Sequence, residues 1–196
     1  MSTLVPIVEG DGEVQALPVL LRRLALWRPA LESMIVAMPI RVRRDRFVNR
    51  DDEFRRFLGL ARFKALAAGG GAVLVVLDAD DDCPAKLGSE LTTKAMKVFP
   101  DLRIQVVLAN REYEAWFIAS ATSLQGMRGF GARADDGGTE AEVPRNAKGW
   151  IAERILAGSY SPVKDQAAFS GKMDLDLAHA NSRSFRKLVT ACHALL

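Results

Sequence analysis

Two hydrophobic segments that each end in carboxylates constrain this sequence more than any other feature. The most hydrophobic run, residues 72–77, is followed at once by Asp78-Ala-Asp80. The apolar residues 4–8 are followed by Glu9-Gly-Asp-Gly-Glu13. Short, continuous apolar runs are typical of the buried strands of a parallel sheet. If these two strands are parallel neighbours, their acidic side chains meet at one edge of the sheet.

The order of the remaining segments predicts the fold class. Further strands are expected at 34–42 and 103–109, and a helical pattern follows each strand, the last one at 112–121. This alternation is typical of α/β proteins whose parallel sheet is flanked by helices on both faces. We expect four strands in the order 2-1-3-4. The strand order then reverses between the first and third strands, where such sheets bind ligands and where Glu9 and Asp78 would lie.

The composition changes after about residue 125, which predicts three parts. Residues 1–125 are expected to form the α/β core. Residues 126–146 contain five glycines and little apolar periodicity, so we expect a flexible surface loop. Residues 147–196 are expected to form a carboxyl-terminal helical extension packed on the core, with helices at 147–157, 163–170 and 182–195.

Charge and cysteine usage bear on partners and compartment. The chain has 27 basic and 24 acidic residues, and its net charge of +3 is compatible with an anionic partner. Cys83 and Cys192 are too few for a disulfide framework, which favours two reduced thiols in the cytoplasm. The first residues lack the basic region of a signal peptide, and no apolar stretch approaches the roughly 20 residues that span a bilayer. We therefore expect a soluble, cytoplasmic protein without a membrane partner.

Converging carboxylates predict a divalent metal ion. Such groups repel one another and raise each other's pKa unless a cation joins them. Mg²⁺ and Mn²⁺ prefer oxygen ligands, so Glu9, Asp78 and Asp80 are the first candidate ligands. Gly10 and Gly12 would let a phosphate approach the backbone at the start of the next helix.

Three motifs resemble, in the same order, those of Toprim domains. Val8-Glu-Gly-Asp-Gly-Glu13, followed by a leucine-rich helix, resembles the opening motif, particularly that of OLD-family nucleases. Asp78-Ala-Asp80 resembles the Toprim Asp-x-Asp motif, and Arg111-Glu-Tyr-Glu-Ala-Trp116 is similar to a further acidic motif of the OLD type. The resemblance covers roughly residues 4–120. It extends to small stand-alone Toprim-like proteins, some of which are associated with defence against phage.

The resemblance implies a fold, an activity and a set of roles. The fold would be the Rossmann-like Toprim sheet, and the activity would be metal-dependent hydrolysis of phosphodiester bonds in DNA or RNA. Glu9 would bind metal or transfer a proton. The implied ligands of one or two Mg²⁺ or Mn²⁺ ions are Glu9, Glu13, Asp78, Asp80 and Glu112 or Glu114.

Basic residues complete the predicted site. The resemblance implies a lysine, supplied late in the chain, that neutralises charge in the transition state, with Lys164 as the first choice and Lys148 as the second. Arg43, Arg44 and Arg46 are candidates for binding nucleic-acid phosphates. Their acidic neighbours also allow a solvated, salt-bridged surface at this position.

Two alternatives to a nuclease remain open. A Mg²⁺-dependent phosphatase would use Asp78 as nucleophile and Asp80 as acid/base, although its motif normally lies on the first strand. A non-catalytic module would bind nucleic acid or a partner ATPase. The sequence has no Gly-x-x-x-x-Gly-Lys-[Ser/Thr] phosphate loop, so an ATPase would be a separate protein.

Overall fold

A parallel sheet with helices on both faces forms the centre of the molecule. The computed structural model describes residues 2–196. The strands pair in the order β2-β1-β4-β5, with β3 also beside β1, and all pairs are parallel. The predicted α/β class and strand order are thereby confirmed. The strands are β1 (Ser2–Val8), β2 (Met34–Val36), β3 (Ile40–Arg41), β4 (Gly71–Asp78) and β5 (Ile104–Ala109).

The predicted strand at 34–42 is wrong in one respect, because it is two short strands. β2 pairs with residues 2–4 of β1, and β3 pairs with Ile7 and Val8. Residues 37–39 interrupt the ladder. Pro39 has no amide hydrogen to donate to a neighbouring strand, which explains the break. The second piece brings Arg41 beside the carboxyl end of β1.

The helices follow the predicted pattern with differences at their ends, and two further helices, Arg44–Asn49 and Leu175–Asn181, are not predicted. The predicted helix at 112–121 covers only residues 115–118, and Glu112 and Glu114 lie in the turn before it, where amides bond three residues back. Within residues 2–196, no helix is long and apolar enough to cross a membrane. The α-helices are α1 (Asp11–Trp27), α2 (Arg44–Asn49), α3 (Asp51–Ala67), α4 (Pro84–Val98), α5 (Ala115–Ile118), α6 (Ala147–Ala152), α7 (Pro162–Lys172), α8 (Leu175–Asn181) and α9 (Arg183–Leu195).

Alternating side chains give the sheet two apolar faces. In β4, Leu74 and Val76 belong to the cluster formed with α1, α7 and α9. Val73, Val75 and Leu77 belong to the opposite cluster, formed with α3 and α4. Each of these fully buried side chains contributes roughly 1.5–3 kcal/mol to folding. The strands are therefore held from both sides, and their carboxyl ends are fixed in position.

The carboxyl-terminal helices share the core of the sheet. α7 packs along α1, and α9 packs against β4 and β5. Residues 126–146, which precede them, contain short 3₁₀ turns at 127–129 and 136–138. Asp136 in this segment is buried. The helical extension therefore lies against the same elements that carry the predicted acidic motifs.

Candidate active site

Five acidic side chains converge where β1, β4 and β5 end. Glu9 directly follows β1, and Asp78 is the last residue of β4. Two further acids follow β5, and one lies in the first turn of α1. We call this group the carboxylate cluster; its members are Glu9, Glu13, Asp78, Glu112 and Glu114.

Lys148 lies at the centre of the carboxylate cluster. Its Nζ is 3.2 Å from Asp78 Oδ2, 3.1 Å from Glu112 Oε1 and 3.9 Å from Glu114 Oε2. The backbone amide of Lys148 also donates to Glu112 Oε2 at 2.9 Å, which anchors the start of α6. Although burial disfavours its charge, the carboxylates of Asp78, Glu114 and Glu112 raise the pKa of Lys148 above its usual value. Lys148 is therefore a permanent cation among these acids.

Asp78 is held in a fixed orientation. The backbone amide of Tyr113 donates to its Oδ1 at 2.7 Å, and Lys148 binds its other oxygen. Burial and the nearby negative charge of Glu13 raise the pKa of Asp78 well above its ordinary value. The negative charge of Asp78 is thus incompletely balanced by its surroundings.

Glu9 and Glu13 form the part of the cluster nearest β1. The backbone amide of Glu9 donates to Glu13 Oε2 at 3.1 Å. Burial raises the pKa of Glu13 to about 7. Burial and the charge of Asp80 also raise the pKa of Glu9. Both side chains thus lie near other carboxylates, and the positive charges of Arg44 and Lys148 only partly offset the rise in the pKa of Glu9.

Glu114 is completely buried, and its bonds come from the carboxyl-terminal part of the chain. Its Oε1 accepts from Tyr160 Oη at 2.8 Å and from Gln166 Nε2 at 2.9 Å. Burial raises the pKa of Glu114. The predicted segment 160–166 therefore does reach the site, but through Tyr160 and Gln166. Lys164 lies exposed on α7 and makes no ion pair with the cluster in the described part of the chain.

Asp80 lies in a loop whose backbone is tightly held. Asp80 and Arg111 both have left-handed backbone conformations, with φ of 51° and 65°. The amide of Asp80 donates to the carbonyl of Arg111 at 3.0 Å, which joins the loops after β4 and β5. The side chain of Asp80 is exposed beside the cluster, 3.5 Å from Arg44 Nε. Left-handed backbone is uncommon in non-glycine residues, although Asp adopts it more readily than most.

The three predicted arginines divide into two groups. Arg44 donates to the carbonyls of Asp78 and Ala79, at 2.7 and 3.0 Å, and so fixes the end of β4. Arg43 and Arg46 are exposed and line a separate cleft. The sequence alone could not separate them, because the division depends on how the first turn of α2 meets the sheet.

The two predicted glycines differ in their surroundings. Gly10 precedes α1, and a β-carbon there would come within 3.0 Å of Glu13 Oε1. A β-carbon at Gly12 would lie 2.2 Å from Gln166 Oε1 and 2.6 Å from the carbonyl oxygen of Pro162. Protein atoms therefore fill the space beside Gly12. Its small size serves the close approach of α7 to α1.

The charges and unpartnered atoms of the cluster fit a divalent cation. As they stand, no three Asp, Glu, His or Cys side chains within residues 2–196 form a metal-ligand group, since Lys148 lies between three of the acids. However, three carboxylates share the one ammonium group of Lys148, and Glu9 and Glu13 lie beside them. In the described chain, Glu9 Oε2 and Glu114 Oε2 are buried without a hydrogen-bond partner. Buried oxygens of this kind are suited to a hard cation.

One comparison with known proteins gives a match. A family model described as a domain of unknown function (DUF4276) matches residues 8–192. The match includes the whole carboxylate cluster and Lys148. No curated protein matches the chain, and no solved structure does.

Proposed function

Since the chain belongs to the DUF4276 family, a domain of unknown function, its activity must follow from the chemistry of its site, and we propose a divalent-metal-dependent nuclease of the Toprim type. It would hydrolyse phosphodiester bonds of DNA or RNA. The observation that carries this proposal is the carboxylate cluster, whose negative charge exceeds that of its single lysine. The cluster lies at the carboxyl ends of β1 and β4, where the strand order reverses.

The acids available to a metal ion are those at the strand ends. Glu9, Asp78 and Asp80 would hold one Mg²⁺ or Mn²⁺ ion, and Glu13 with Glu112 or Glu114 would hold a second. When bound, such ions supply positive charge for a phosphate oxygen and lower the pKa of water. The order of the three acidic motifs, which resembles that of OLD-type Toprim nucleases, supports this assignment.

The residues of the chain itself supply positioning and proton transfer. Lys148 Nζ is held among three carboxylates and would pair with a non-bridging phosphate oxygen of the substrate. Glu9 Oε2 has no hydrogen-bond partner within residues 2–196, so it would be available to accept a proton from water. Arg44 would keep Asp78 and Asp80 in place through its bonds to the backbone of the β4 loop.

The cellular role that we propose is also based on the resemblance to Toprim-like proteins. The two cysteines, Cys83 and Cys192, are free thiols, which supports a cytoplasmic location. A role in defence against phage, with a separate ATPase as a possible partner, is part of the proposal. The experiments below test the chemistry first, because the setting depends on it.

Calorimetric titration with Mn²⁺ and Mg²⁺ tests the metal site. Wild type should bind, and the Asp78→Asn/Asp80→Asn variant should not. The matched control is Asp81→Asn/Asp82→Asn, which removes two exposed carboxylates of the same loop that pair with Arg111, Arg145 and Arg44. The control should bind metal as wild type does. Equal binding by all three proteins would place the ion elsewhere.

Cleavage assays then test the reaction. Labelled single- and double-stranded DNA and RNA should be cut by wild type with Mn²⁺ or Mg²⁺ and left intact with EDTA. Lys148→Met should retain metal binding while the cleavage rate falls by roughly 10²–10³. Metal binding without cleavage of any of these substrates would reject the nuclease. Trapping of a phosphoenzyme at Asp78 would instead establish the phosphatase, and nucleic-acid binding without turnover would establish the non-catalytic module.

A further inference from the structure

A cleft lined by four arginines lies at the same edge of the sheet as the carboxylate cluster. Its volume is about 240 Å³, and its arginines are Arg41, Arg43, Arg46 and Arg56. We infer that this cleft binds backbone phosphates of a nucleic-acid strand on one side of the bond that is cut. The inference rests on the proposed function and makes the substrate a polynucleotide, in contrast to a dinucleotide or a phosphate monoester.

The position of the cleft follows from β3 and α2. Arg41, the last residue of β3, donates to the backbone carbonyl of Glu9 at 3.2 Å and pairs with Asp11 at 3.0 Å. The cleft therefore begins directly beside the cluster. Arg43 immediately precedes α2 and Arg46 lies in its first turn, while Arg44 between them is directed to the end of β4. A strand bound in the cleft would thus continue over the carboxylates.

The charge balance leaves two of the four arginines available for an anion. Glu53 is the acidic residue of the cleft wall and lies 3.4 Å from Arg56. Arg41 is paired with Asp11. In the described part of the chain, Arg43 and Arg46 make no ion pair, and both are exposed. The acid that begins α3, Asp51, is bound by Lys94 at 2.6 Å.

Guanidinium groups in a concave surface favour phosphates. Their planar donors bind two phosphate oxygens at once, and they stay charged at any physiological pH. A polynucleotide can offer one phosphate to Arg43 and Arg46 and another to Lys148 and a metal ion held by the carboxylate cluster. A phosphate monoester offers one group only, and a cation bound by the carboxylates would compete for it. Contacts outside the cut bond are therefore expected to set the affinity.

Fluorescence anisotropy in EDTA measures this contact without catalysis. The probe is a labelled oligonucleotide of roughly 20 nucleotides, titrated at several salt concentrations. Arg43→Ala/Arg46→Ala should weaken binding about tenfold at low salt. The slope of log K against log salt should fall by about 1.5, because each lost phosphate contact removes 0.7–0.9.

The control has the same net charge as the test variant. Arg22→Ala/Lys172→Ala removes two exposed cations from the carboxyl-terminal halves of α1 and α7. Because both helices begin beside the cluster, these two residues lie at the ends that point away from it. Its affinity and salt slope should equal those of wild type. Circular dichroism would verify that both variants are folded.

The outcomes separate this inference from the proposed nuclease. Equal loss of affinity in the test and control variants, or no binding by wild type, would overturn the cleft as a phosphate site. Selective loss in the Arg43→Ala/Arg46→Ala variant, without cleavage by wild type in Mn²⁺, would retain the cleft and reject the nuclease. Cleavage of a dinucleotide as fast as of the oligonucleotide would retain the nuclease and reject the cleft as a substrate contact.

Discussion

Asp136 and Asp78 are both buried, yet their surroundings shift the pKa of the two carboxyl groups in opposite directions. Arg154 donates three hydrogen bonds of 2.7–2.9 Å to the two oxygens of Asp136, and the amide of Arg133 donates another at 2.7 Å. Although burial works against it, these donors hold the pKa of Asp136 below its usual value. Asp78 shares one lysine with two other acids, and its pKa is raised.

This contrast distinguishes a structural ion pair, Asp136–Arg154, from a candidate ligand-binding site, the carboxylate cluster. The Asp136–Arg154 pair is complete, since its charges and most of its donors are matched inside the protein. The carboxylate cluster is incomplete, because several acids depend on Lys148 and two oxygens within residues 2–196 have no donor. A folded protein tolerates such an imbalance where a ligand removes it. Substitutions in the two regions should therefore change stability in opposite directions.

Breaking the complete pair should give the largest effect. Arg154→Met leaves Asp136 buried without its cation, which should cost about 3 kcal/mol of unfolding free energy. For a chain of this size, the melting temperature should fall by roughly 6–12 °C. Arg133→Ala is the control, because its side chain bonds at the surface to the carbonyl of Glu153 and its amide still reaches Asp136. Thermal unfolding in EDTA measures both, and similar small shifts in the two variants would contradict the comparison.

Neutralising Asp78 should increase the free energy of unfolding, the opposite of the effect of Arg154→Met. Asp78→Asn keeps an acceptor for the amide of Tyr113 and removes one charge from the cluster. In EDTA we expect a gain of about 1 kcal/mol, or roughly 2–4 °C. Asp136→Asn should lower the melting temperature under the same conditions. A loss of stability in both variants would mean that Lys148 already balances the cluster.

The dependence of stability on pH should give the smallest effect. The pKa of Glu13 is about 7 in the folded protein, above its ordinary value of 4.5, so the folded state binds more protons between these values. Unfolding free energy contributed by this group therefore falls as the pH rises through that range. Without metal, the melting temperature should fall by about 2 °C between pH 6.5 and 7.5, where this group loses its proton in the folded protein.

A substitution and a metal ion should each flatten this pH dependence. Glu13→Gln removes the titrating group, and saturating Mn²⁺ balances the carboxylates of the wild-type protein. Parallel melting curves of wild type and Glu13→Gln across the range isolate the contribution of Glu13. Identical slopes in the two proteins would show that other groups dominate the titration.

The sequence predicts the part of the site that depends on strand ends. Glu9 and Asp78 each directly follow or end an apolar run, and the parallel pairing of β1 and β4 brings them to one edge. Glu112 and Glu114 reach the same edge because they follow β5. Hydrophobic runs and their order determine this arrangement, so a single sequence was sufficient to predict it.

The rest of the candidate site depends on packing between segments that are distant in the sequence. The sequence ranks Lys148 second behind Lys164, because local periodicity does not describe how residues 126–146 lead α6 to the cluster. Tyr160 and Gln166 were missed as partners of Glu114, since each is 46 or more residues away in the sequence. A proline that begins α7 and a glycine at position 12 are the local features closest to this contact, and neither identifies a partner for Glu114.

The close approach of α7 to α1 at Gly12 has a consequence for how the protein is made. The ribosome synthesises Glu9, Glu13 and Asp78 early, while Gln166, which fills the space beside Gly12 and binds Glu114, emerges much later. A partly synthesised chain therefore carries the acids without the groups that complete their surroundings. The surroundings of Glu114 are therefore complete only after residue 166 has left the ribosome.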